Sequence, residues 1–306
     1  MLPADAAGFP LQLPHEHIAR NGYGRIMGAN SSIRRLVKKA LYPVIDEREY
    51  RYMQAMAMAW DIRLGRWSEP ELDLIPYAAR PGDTVLDLGA NYGMYSYHLS
   101  RAVRPTGRVF AFEPVPFTAA TLSLVSRLLR FRNVELIAKG CSDSTGIVTF
   151  KVPVQDLGMF SAGLAYIGQR NDDRVGKETQ VRWRGTCDVS CEIIAIDEFL
   201  PELNNLSFIK CDVEGSELFA FRGAVQTIDR NRPTVLCEIN PWYLEGFGVT
   251  ISELTRFFFD RRYQLYHYGQ VRGRNRLYPL AVADIVEDNY VFVHPDRIQV
   301  FAPLLA

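Results

Sequence analysis

The sequence lacks several features that would point to particular classes of protein. Its 35 Lys and Arg residues are balanced by 35 Asp and Glu residues, so no net charge draws nucleic acid or anionic lipid to the surface. No apolar run reaches about 18 residues, so no transmembrane segment is predicted. The first residues show no basic segment followed by an apolar run, so no secretory signal is predicted. We therefore expect a cytoplasmic protein that does not act on nucleic acid.

Cysteine and histidine are also scarce. The five cysteines are odd in number and form no Cys-x-x-Cys pair, a pattern typical of reduced thiols. The five histidines are scattered, and no zinc site is predicted.

Short apolar runs alternate with helical patterns from residue 83 onward. The runs are continuously apolar, as is typical of parallel strands covered on both faces. They are TVLDLG (84–89), RVFAFE (108–113), VELIAKG (134–140), IVTFKV (147–152), IIAID (193–197), LSFIKC (206–211), TVLCEI (234–239), YQLYHY (263–268) and NYVFVH (289–294). The pattern predicts one α/β domain over residues 81–306, whose last two strands form an antiparallel hairpin around a loop-rich stretch.

Two regions do not fit the alternation. Residues 1–80 are predicted to form a helical extension or cap, with helices over 31–42, 46–63 and 70–79, and these helices could form a homo-oligomer interface. Residues 153–188 are rich in Gly and charge, and an insertion of this length is typical of a lid or a binding loop.

The ends of the first two strands predict a cofactor site, because ligands of open α/β sheets bind beyond the carboxyl ends of the strands. Asp87 and Gly89 lie at the end of the first strand and Gly93 follows it. Glu113 ends the second strand, at a spacing from Gly89 that suits a carboxylate holding ribose hydroxyls. The third glycine of a dinucleotide fingerprint is missing, and Asp87 would repel a pyrophosphate. A cofactor with a cationic amino-acid end, such as S-adenosylmethionine, fits better.

The stretch FIKCDVEGSE, residues 208–217, places acids directly after the fourth long strand. Asp212 could remove a proton from an attacking hydroxyl, with Glu214 as an anchor for that hydroxyl and Lys210 neutralising the acids. Glu217 is predicted to be structural, in the first turn of a helix. As an alternative, Asp212 could bind Mg²⁺ together with Glu238 and Asn240, since Mg²⁺ prefers oxygen ligands.

Five segments in this order resemble the FkbM-type S-adenosylmethionine-dependent methyltransferases over residues 65–268. They are DLGANYGMYS, VFAFEPVP, GCSDSTGIVTF, IDEFL and FIKCDVEGSELFAFRGA. The resemblance implies the class I methyltransferase fold, Rossmann-like, with a seven-stranded, mostly parallel sheet whose last strand is antiparallel. It also implies O-methylation of a sugar, a polyketide, another secondary metabolite or a glycan part.

The resemblance further implies residue roles. Asp87, Gly89, Asn91 and Gly93 would line the methionine end of the cofactor, and Glu113 would hold the ribose. Ser142 and Asp143 would lie at the adenine edge, with Asp143 near the exocyclic amine. Apart from the resemblance, the position of Trp67 and Glu69 before the sheet suggests that they could close over the cofactor.

Two other functions stay open on the sequence alone. One is a catalytically idle partner subunit that binds the cofactor, which the acids after the fourth strand disfavour. The other is a nucleotide-sugar or NAD enzyme, which the missing glycine and Asp87 disfavour. The small-molecule or glycan acceptor itself is not identified by the sequence.

Overall fold

The computed structural model describes residues 46–155 and 183–306. The predicted helix over residues 31–42 and the centre of the predicted insertion, residues 156–182, lie outside this part of the chain. No helix within the described residues is long and apolar enough to cross a membrane.

Nine α-helices occur in the described residues. They are α1 (Glu47–Arg63), α2 (Ile75–Ala78), α3 (Met94–Val103), α4 (Pro116–Leu129), α5 (Ile196–Phe199), α6 (Glu217–Arg222), α7 (Val225–Asn231), α8 (Pro241–Gly246) and α9 (Ile251–Phe259). Short 3₁₀ segments cover Pro70–Leu74, Val282–Asp284 and Pro295–Leu304. The helix predicted over residues 70–79 is therefore a 3₁₀ turn that continues into α2.

Eleven strands occur in the same part of the chain. They are β1 (Thr84–Leu88), β2 (Arg108–Phe112), β3 (Val134–Ile137), β4 (Gly140–Cys141), β5 (Gly146–Gln155), β6 (Trp183–Ile194), β7 (Leu206–Cys211), β8 (Thr234–Ile239), β9 (Gln264–Val271), β10 (Arg274–Pro279) and β11 (Asp288–Val293). The predicted bounds of β7 and β8 are confirmed to the residue.

The main sheet has the order β10-β9-β11-β8-β7-β1-β2-β3. The pairs β1–β2, β1–β7, β2–β3 and β7–β8 are parallel, and β11 is antiparallel to both of its neighbours. The predicted class I fold with an antiparallel last strand is confirmed. The sheet gains an eighth strand, β10, from the stretch that was predicted to be only a loop between β9 and β11.

A second, three-stranded sheet has the order β4-β6-β5. The runs at 147–152 and 193–194 belong to this sheet and not to the main one. Both ends of the predicted insertion over 153–188 are strand residues, because residues 153–155 continue β5 and residues 183–188 begin β6. Residues 195–197, predicted as strand, turn into α5.

The main sheet is covered on both faces, as its apolar strands require. One buried cluster contains Phe112, Ile209 and Phe221, and packs under α6 and α9. The other contains Val85 and Phe208 together with residues of α1, α2 and α3. The extension that precedes the sheet therefore packs onto the same core.

The helix predicted over residues 216–230 is divided into α6 and α7 at Gly223. A Cβ atom at Gly223 would lie 1.9 Å from the carbonyl oxygen of Ser142. The break thus lets the end of β4 approach the helix backbone, a tertiary contact that helical periodicity does not report.

Candidate active site at the carboxyl edge of the sheet

The chain turns sharply after β1 at Gly89. The φ angle of Gly89 is +80°, and a Cβ atom there would lie 1.8 Å from the carbonyl oxygen of Asp212. The N–H groups of Gly89 and Ala90 both donate to the carbonyl of Phe112 at the end of β2. Only glycine fits this position, because its turn contacts the ends of two neighbouring strands.

Glu113 holds the turn after β1 against the end of β2. One carboxylate oxygen accepts the N–H of Asn91 and the other accepts the N–H of Val115, each at 3.0 Å. Burial raises the pKa of Glu113 to about 7, and the two backbone hydrogen bonds offset part of that increase. The side-chain oxygen of Asn91 is buried and accepts no hydrogen bond in the described structure.

Asp87 and Gly93, on either side of the same turn, also stabilise it. The Ser96 hydroxyl of α3 donates to the carboxylate of Asp87, which is 1% exposed. Burial raises the pKa of Asp87 to about 6, and this hydrogen bond offsets part of the increase. Gly93 has φ +88°, and a Cβ atom there would lie 2.6 Å from the Cδ1 atom of Leu122.

Ser142 and Asp143 follow β4, in the second sheet. The strand reaches the end of β2, since a Cβ atom at Gly140 would lie 3.4 Å from Cβ of Pro114. Asp143 is exposed and accepts hydrogen bonds from the hydroxyls of Ser142 and Ser144. Their expected place at the adenine edge stays a prediction.

The end of β7 carries a buried lysine beside an accessible carboxylate. The side chain of Lys210 is 2% exposed and that of Asp212 is 37% exposed, and their charged atoms lie 3.6 Å apart. Burial acts to lower the pKa of Lys210, but the carboxylates of Asp212, Glu69 and Glu238 outweigh it, and the pKa lies above its usual value. Lys210 is therefore a charged ammonium group inside the site.

Asp212 and Glu238 form a coupled pair of acids at the ends of β7 and β8. Burial and the carboxylate of Asp212 raise the pKa of Glu238 well above its usual value. Burial also acts to raise the pKa of Asp212, but the Lys210 ammonium outweighs it and the pKa lies below its usual value. The Lys210 ammonium thus favours the ionised form of Asp212, while burial beside that carboxylate favours the protonated form of Glu238.

Glu217 shapes the loop that carries Asp212 and Glu214. One carboxylate oxygen accepts the N–H groups of Val213 and Gly215, at 3.2 and 3.0 Å. Gly215 has φ +103°, and a Cβ atom there would lie 2.4 Å from the carbonyl oxygen of Tyr243. These contacts agree with the structural role predicted for Glu217, and they hold Glu214 in the loop at φ +56°.

The magnesium alternative finds no support at this edge. The Asn240 side-chain oxygen caps α8, where it accepts the N–H groups of Trp242 and Tyr243. Two carboxyl groups, Asp212 and Glu238, are then left from the predicted set. Within residues 46–155 and 183–306, no group of three or more His, Cys, Asp or Glu side chains is placed to hold a metal ion.

Four polar residues join Lys210 from distant elements. The Asn289 side-chain oxygen accepts from Lys210 at 3.0 Å, and the ring centroid of Tyr95 lies 5.2 Å from the ammonium. Glu69 accepts the Tyr95 hydroxyl at 2.6 Å and the Asn289 amide at 3.4 Å. Glu71 is 4% exposed, and burial raises its pKa to about 7.

The sequence did not identify Glu71, Tyr95 and Asn289 as site residues. Tyr95 lies in the helix that follows the glycine turn, and Asn289 lies at the start of the last strand. Glu71 is an acid in a segment that also carries Leu72 and Leu74, and nothing in the sequence around it indicates a site. Glu71 and Asn289 do not follow a parallel strand, and Tyr95 lies beyond the glycine turn, one residue into the helix.

The comparison with protein families decides the class of this site. The Methyltransferase FkbM domain matches residues 87–265, which is more than half of the chain. The chain belongs to the FkbM methyltransferase family. The NAD and nucleotide-sugar alternatives find no support in this match.

Individual relatives agree with this assignment. Methyltransferase 1 of Beauveria bassiana (strain ARSEF 2860) is 27% identical over 160 residues, which cover 49% of this chain and 61% of that protein. The chain thus spans less than two thirds of the length of this relative. Glu69, Glu71 and Asn289 lie outside the family match.

Two solved structures show similarity at low scores. A methyltransferase FkbM from Methylobacillus flagellatus KT has 17% identity and a TM-score of 0.41, over 87% of this chain and 60% of that one. A SAM-dependent O-methyltransferase from Thermotoga maritima has 12% identity and a TM-score of 0.37, over 78% and 71% of the two chains. The family assignment rests on the domain match.

Proposed function

We propose that this FkbM methyltransferase uses S-adenosylmethionine to methylate a hydroxyl group of a small molecule, a sugar or a glycan part. The observation that carries the proposal is the position of Asp212. Its backbone touches the glycine turn after β1, while its carboxylate is partly exposed at the sheet edge and paired with Lys210. The candidate proton acceptor therefore lies next to the glycine turn that would contact the cofactor.

The turn region fits S-adenosylmethionine in its donor and acceptor groups. The buried, unpartnered oxygen of Asn91 offers an acceptor for an ammonium group. The two oxygens of Glu113 each retain lone pairs beyond those used by backbone N–H groups, and could accept ribose hydroxyls. Gly89 leaves the space that a side chain would fill. These residues would hold the cofactor.

The proposed reaction places one proton on the protein. When bound, S-adenosylmethionine supplies an electrophilic methyl group on a positively charged sulfur. The carboxylate of Asp212 would accept the proton of the acceptor hydroxyl as that oxygen takes the methyl group, and S-adenosylhomocysteine would leave as the second product. Lys210 keeps Asp212 ionised before the transfer, and Glu214 on the same loop anchors the acceptor hydroxyl.

The remaining parts of the proposal concern the setting of the enzyme. We expect it to act in the cytoplasm and not on nucleic acid, consistent with its zero formal net charge. We also propose that residues 1–80 form a cap and that residues 81–306 form the catalytic domain. An oligomer could form through the N-terminal helices.

Calorimetric titration with S-adenosylhomocysteine tests the cofactor half of the proposal. The wild-type protein should bind, and Glu113→Gln should bind about 100-fold more weakly, because an amide replaces one of the two acceptor oxygens. Glu135→Gln, at an exposed site on β3, is the matched control. Absence of binding to the wild type would refute the proposed cofactor.

Asp212→Asn tests the catalytic half. It should retain binding of S-adenosylhomocysteine within a few-fold, and it should lose transfer of a radiolabelled methyl group to any acceptor that the wild type methylates in a panel of hydroxylated compounds. Full activity of this variant would remove Asp212 from the mechanism. Equal loss of binding would indicate a structural role instead.

A further inference from the structure

Residues from several elements contact Lys210 or the partners of Lys210. Its ammonium donates to Asn289 of β11, lies over the ring of Tyr95 of α3, and faces Asp212 at the end of its own strand. Tyr95 and Asn289 both donate to the same carboxylate oxygen of Glu69, which precedes the first 3₁₀ segment. We refer to Glu69, Tyr95 and Asn289 as the lysine clamp.

A buried ammonium needs such partners. Desolvation of a lysine on a central strand costs several kcal/mol unless hydrogen bonds and opposite charges offset it. Lys210 obtains one neutral acceptor from Asn289 and one aromatic face from Tyr95, and neither of these neutralises its charge. Its positive charge therefore remains available to the carboxylate of Asp212.

We infer that the lysine clamp positions Lys210 so that it fixes the place and the charge of Asp212, which makes Glu69, Tyr95 and Asn289 positioning residues of the methyl-transfer site. This inference rests on the proposed function, because it concerns the carboxylate that would receive the proton. Glu69 and Asn289 lie outside the matched FkbM domain, so this chain's flanking segments would complete its active site.

Several charged groups other than Lys210 face Asp212, and a test must separate them. The acids are Asp87 on β1, Glu113 after β2, Glu217 on the following helix and Glu238 on β8. Tyr95 of α3 and Cys237 of β8 are the other titratable neighbours. Glu69 and Glu71, from the segment before β1, face Lys210, and Glu214 faces Glu238.

The ratio of two affinities isolates the charge of Asp212. S-adenosylmethionine and S-adenosylhomocysteine share the adenosine and the amino-acid end, and differ by the methyl group with its sulfonium charge. Protonation of Asp87 or Glu113 should weaken both ligands alike and cancel in the ratio. An ionised Asp212 at the transfer point should favour the charged ligand, and protonation of Asp212 should abolish that preference.

The experiment is calorimetric titration of the full-length protein with both ligands between pH 4 and pH 8. The wild type should prefer S-adenosylmethionine over this whole range, since Lys210 holds the pKa of Asp212 below its usual value. Asp212→Asn should show no such preference at any pH, which assigns the preference to Asp212.

Removal of the lysine should bring the loss of preference into this range. In Lys210→Met the preference should fall as the pH is lowered from 8 to 4, because the charge that favours the carboxylate of Asp212 is gone. Asn289→Leu should lose the preference at a lower pH than Lys210→Met, because the freed ammonium can turn from Asp212 toward Glu69. The matched control is Asn204→Leu, an exposed asparagine in the loop before β7, which should keep the preference over the whole range.

The outcomes separate the inference from the proposed function. Lack of binding of either ligand to the wild type would overturn the cofactor assignment. Binding of both without any preference for S-adenosylmethionine, or an Asn289→Leu variant that keeps the full wild-type preference down to pH 4, would overturn the lysine clamp and leave the cofactor assignment intact. If Lys210→Met does not fold, Asn289→Leu carries the test, with its affinity for S-adenosylhomocysteine at pH 8 as the check on folding.

Discussion

Two regions at the carboxyl edge of the sheet are built in different ways. The turn region after β1 and β2 is held by backbone N–H groups on a carboxylate, and its hydrogen bond from Asn91 to Glu113 spans 22 residues. The region around Lys210 is held by side chains, and its hydrogen bond from Asn289 to Glu69 spans 220 residues. Local backbone geometry leaves a signature in the sequence, and long-range side-chain contacts do not.

The largest expected effect comes from the residue where the two regions touch. Gly89→Ala would place a Cβ atom 1.8 Å from the carbonyl oxygen of Asp212, in a backbone conformation with φ +80° that alanine disfavours. We expect a loss of about 4 kcal/mol or more in the free energy of unfolding. Urea unfolding followed by circular dichroism measures it.

A second glycine gives the control for this experiment. Gly146 begins β5, has no atom within 4 Å of an added Cβ, and does not have a positive φ. Gly146→Ala should stay within about 0.5 kcal/mol of the wild type. A similarly small effect of Gly89→Ala would mean that the two regions do not pack against each other as described.

The fold was predictable where one sequence signal determines one structure. The continuously apolar runs of β7 and β8 gave their exact positions, and Gly89 and Gly93 marked the turn after β1. Pro241 begins α8 in the first helical turn, where proline is favoured, with Asn240 as its cap. Each of these features depends on residues that are close together in the chain.

The sequence predictions differ from the structure where contacts between distant parts of the chain determine it. Strand β10, with the sequence RNRLYP, lies at the edge of the sheet and needs no apolar run. In β5 and β6, long strands pair with each other outside the main sheet, so their polar stretches resembled an insertion. Glu71, Tyr95 and Asn289 acquire their roles only when α3, β7 and β11 meet, which no local pattern could indicate.

A smaller effect is expected from Glu217, whose carboxylate accepts backbone N–H groups of the loop that carries Asp212. Burial raises the pKa of Glu217 from 4.5 to about 7. The folded state therefore resists ionisation of Glu217, and stability is lost as the pH rises from 4.5 toward 7. Glu217→Gln keeps an acceptor oxygen for the two N–H groups and removes this penalty.

We expect Glu217→Gln to match the wild type near pH 4.5 and to exceed its stability by up to about 3 kcal/mol at pH 8. Urea unfolding at several pH values measures the difference between the two proteins, so the titrations of Asp87, Glu71 and Glu113 cancel. Glu135→Gln should give a curve parallel to the wild type. A parallel curve for Glu217→Gln as well would show that Glu217 is accommodated as a carboxylate at no cost.

The smallest effect is expected at Asp143, at the periphery of the turn region. Asp143 is exposed, and its recorded hydrogen bonds come from the neighbouring serine hydroxyls, so Asp143→Asn should leave the stability unchanged within about 0.5 kcal/mol. If Asp143 accepts from the exocyclic amine of adenine, the variant should bind S-adenosylhomocysteine up to about tenfold more weakly. Asp284→Asn, at an exposed site near β11, is the control.

An inosine analogue makes this last prediction specific. S-inosylhomocysteine carries an oxygen in place of the exocyclic amine, so the carboxylate of Asp143 would repel it and an asparagine amide could donate to it. The preference of the wild type for the adenosine compound should therefore shrink in Asp143→Asn and persist in Asp284→Asn. An undiminished preference in Asp143→Asn would place adenine recognition elsewhere, and the residues that directly follow β3 would become the next candidates, because the carbonyl of Ile137 already bonds to the N–H of Glu113.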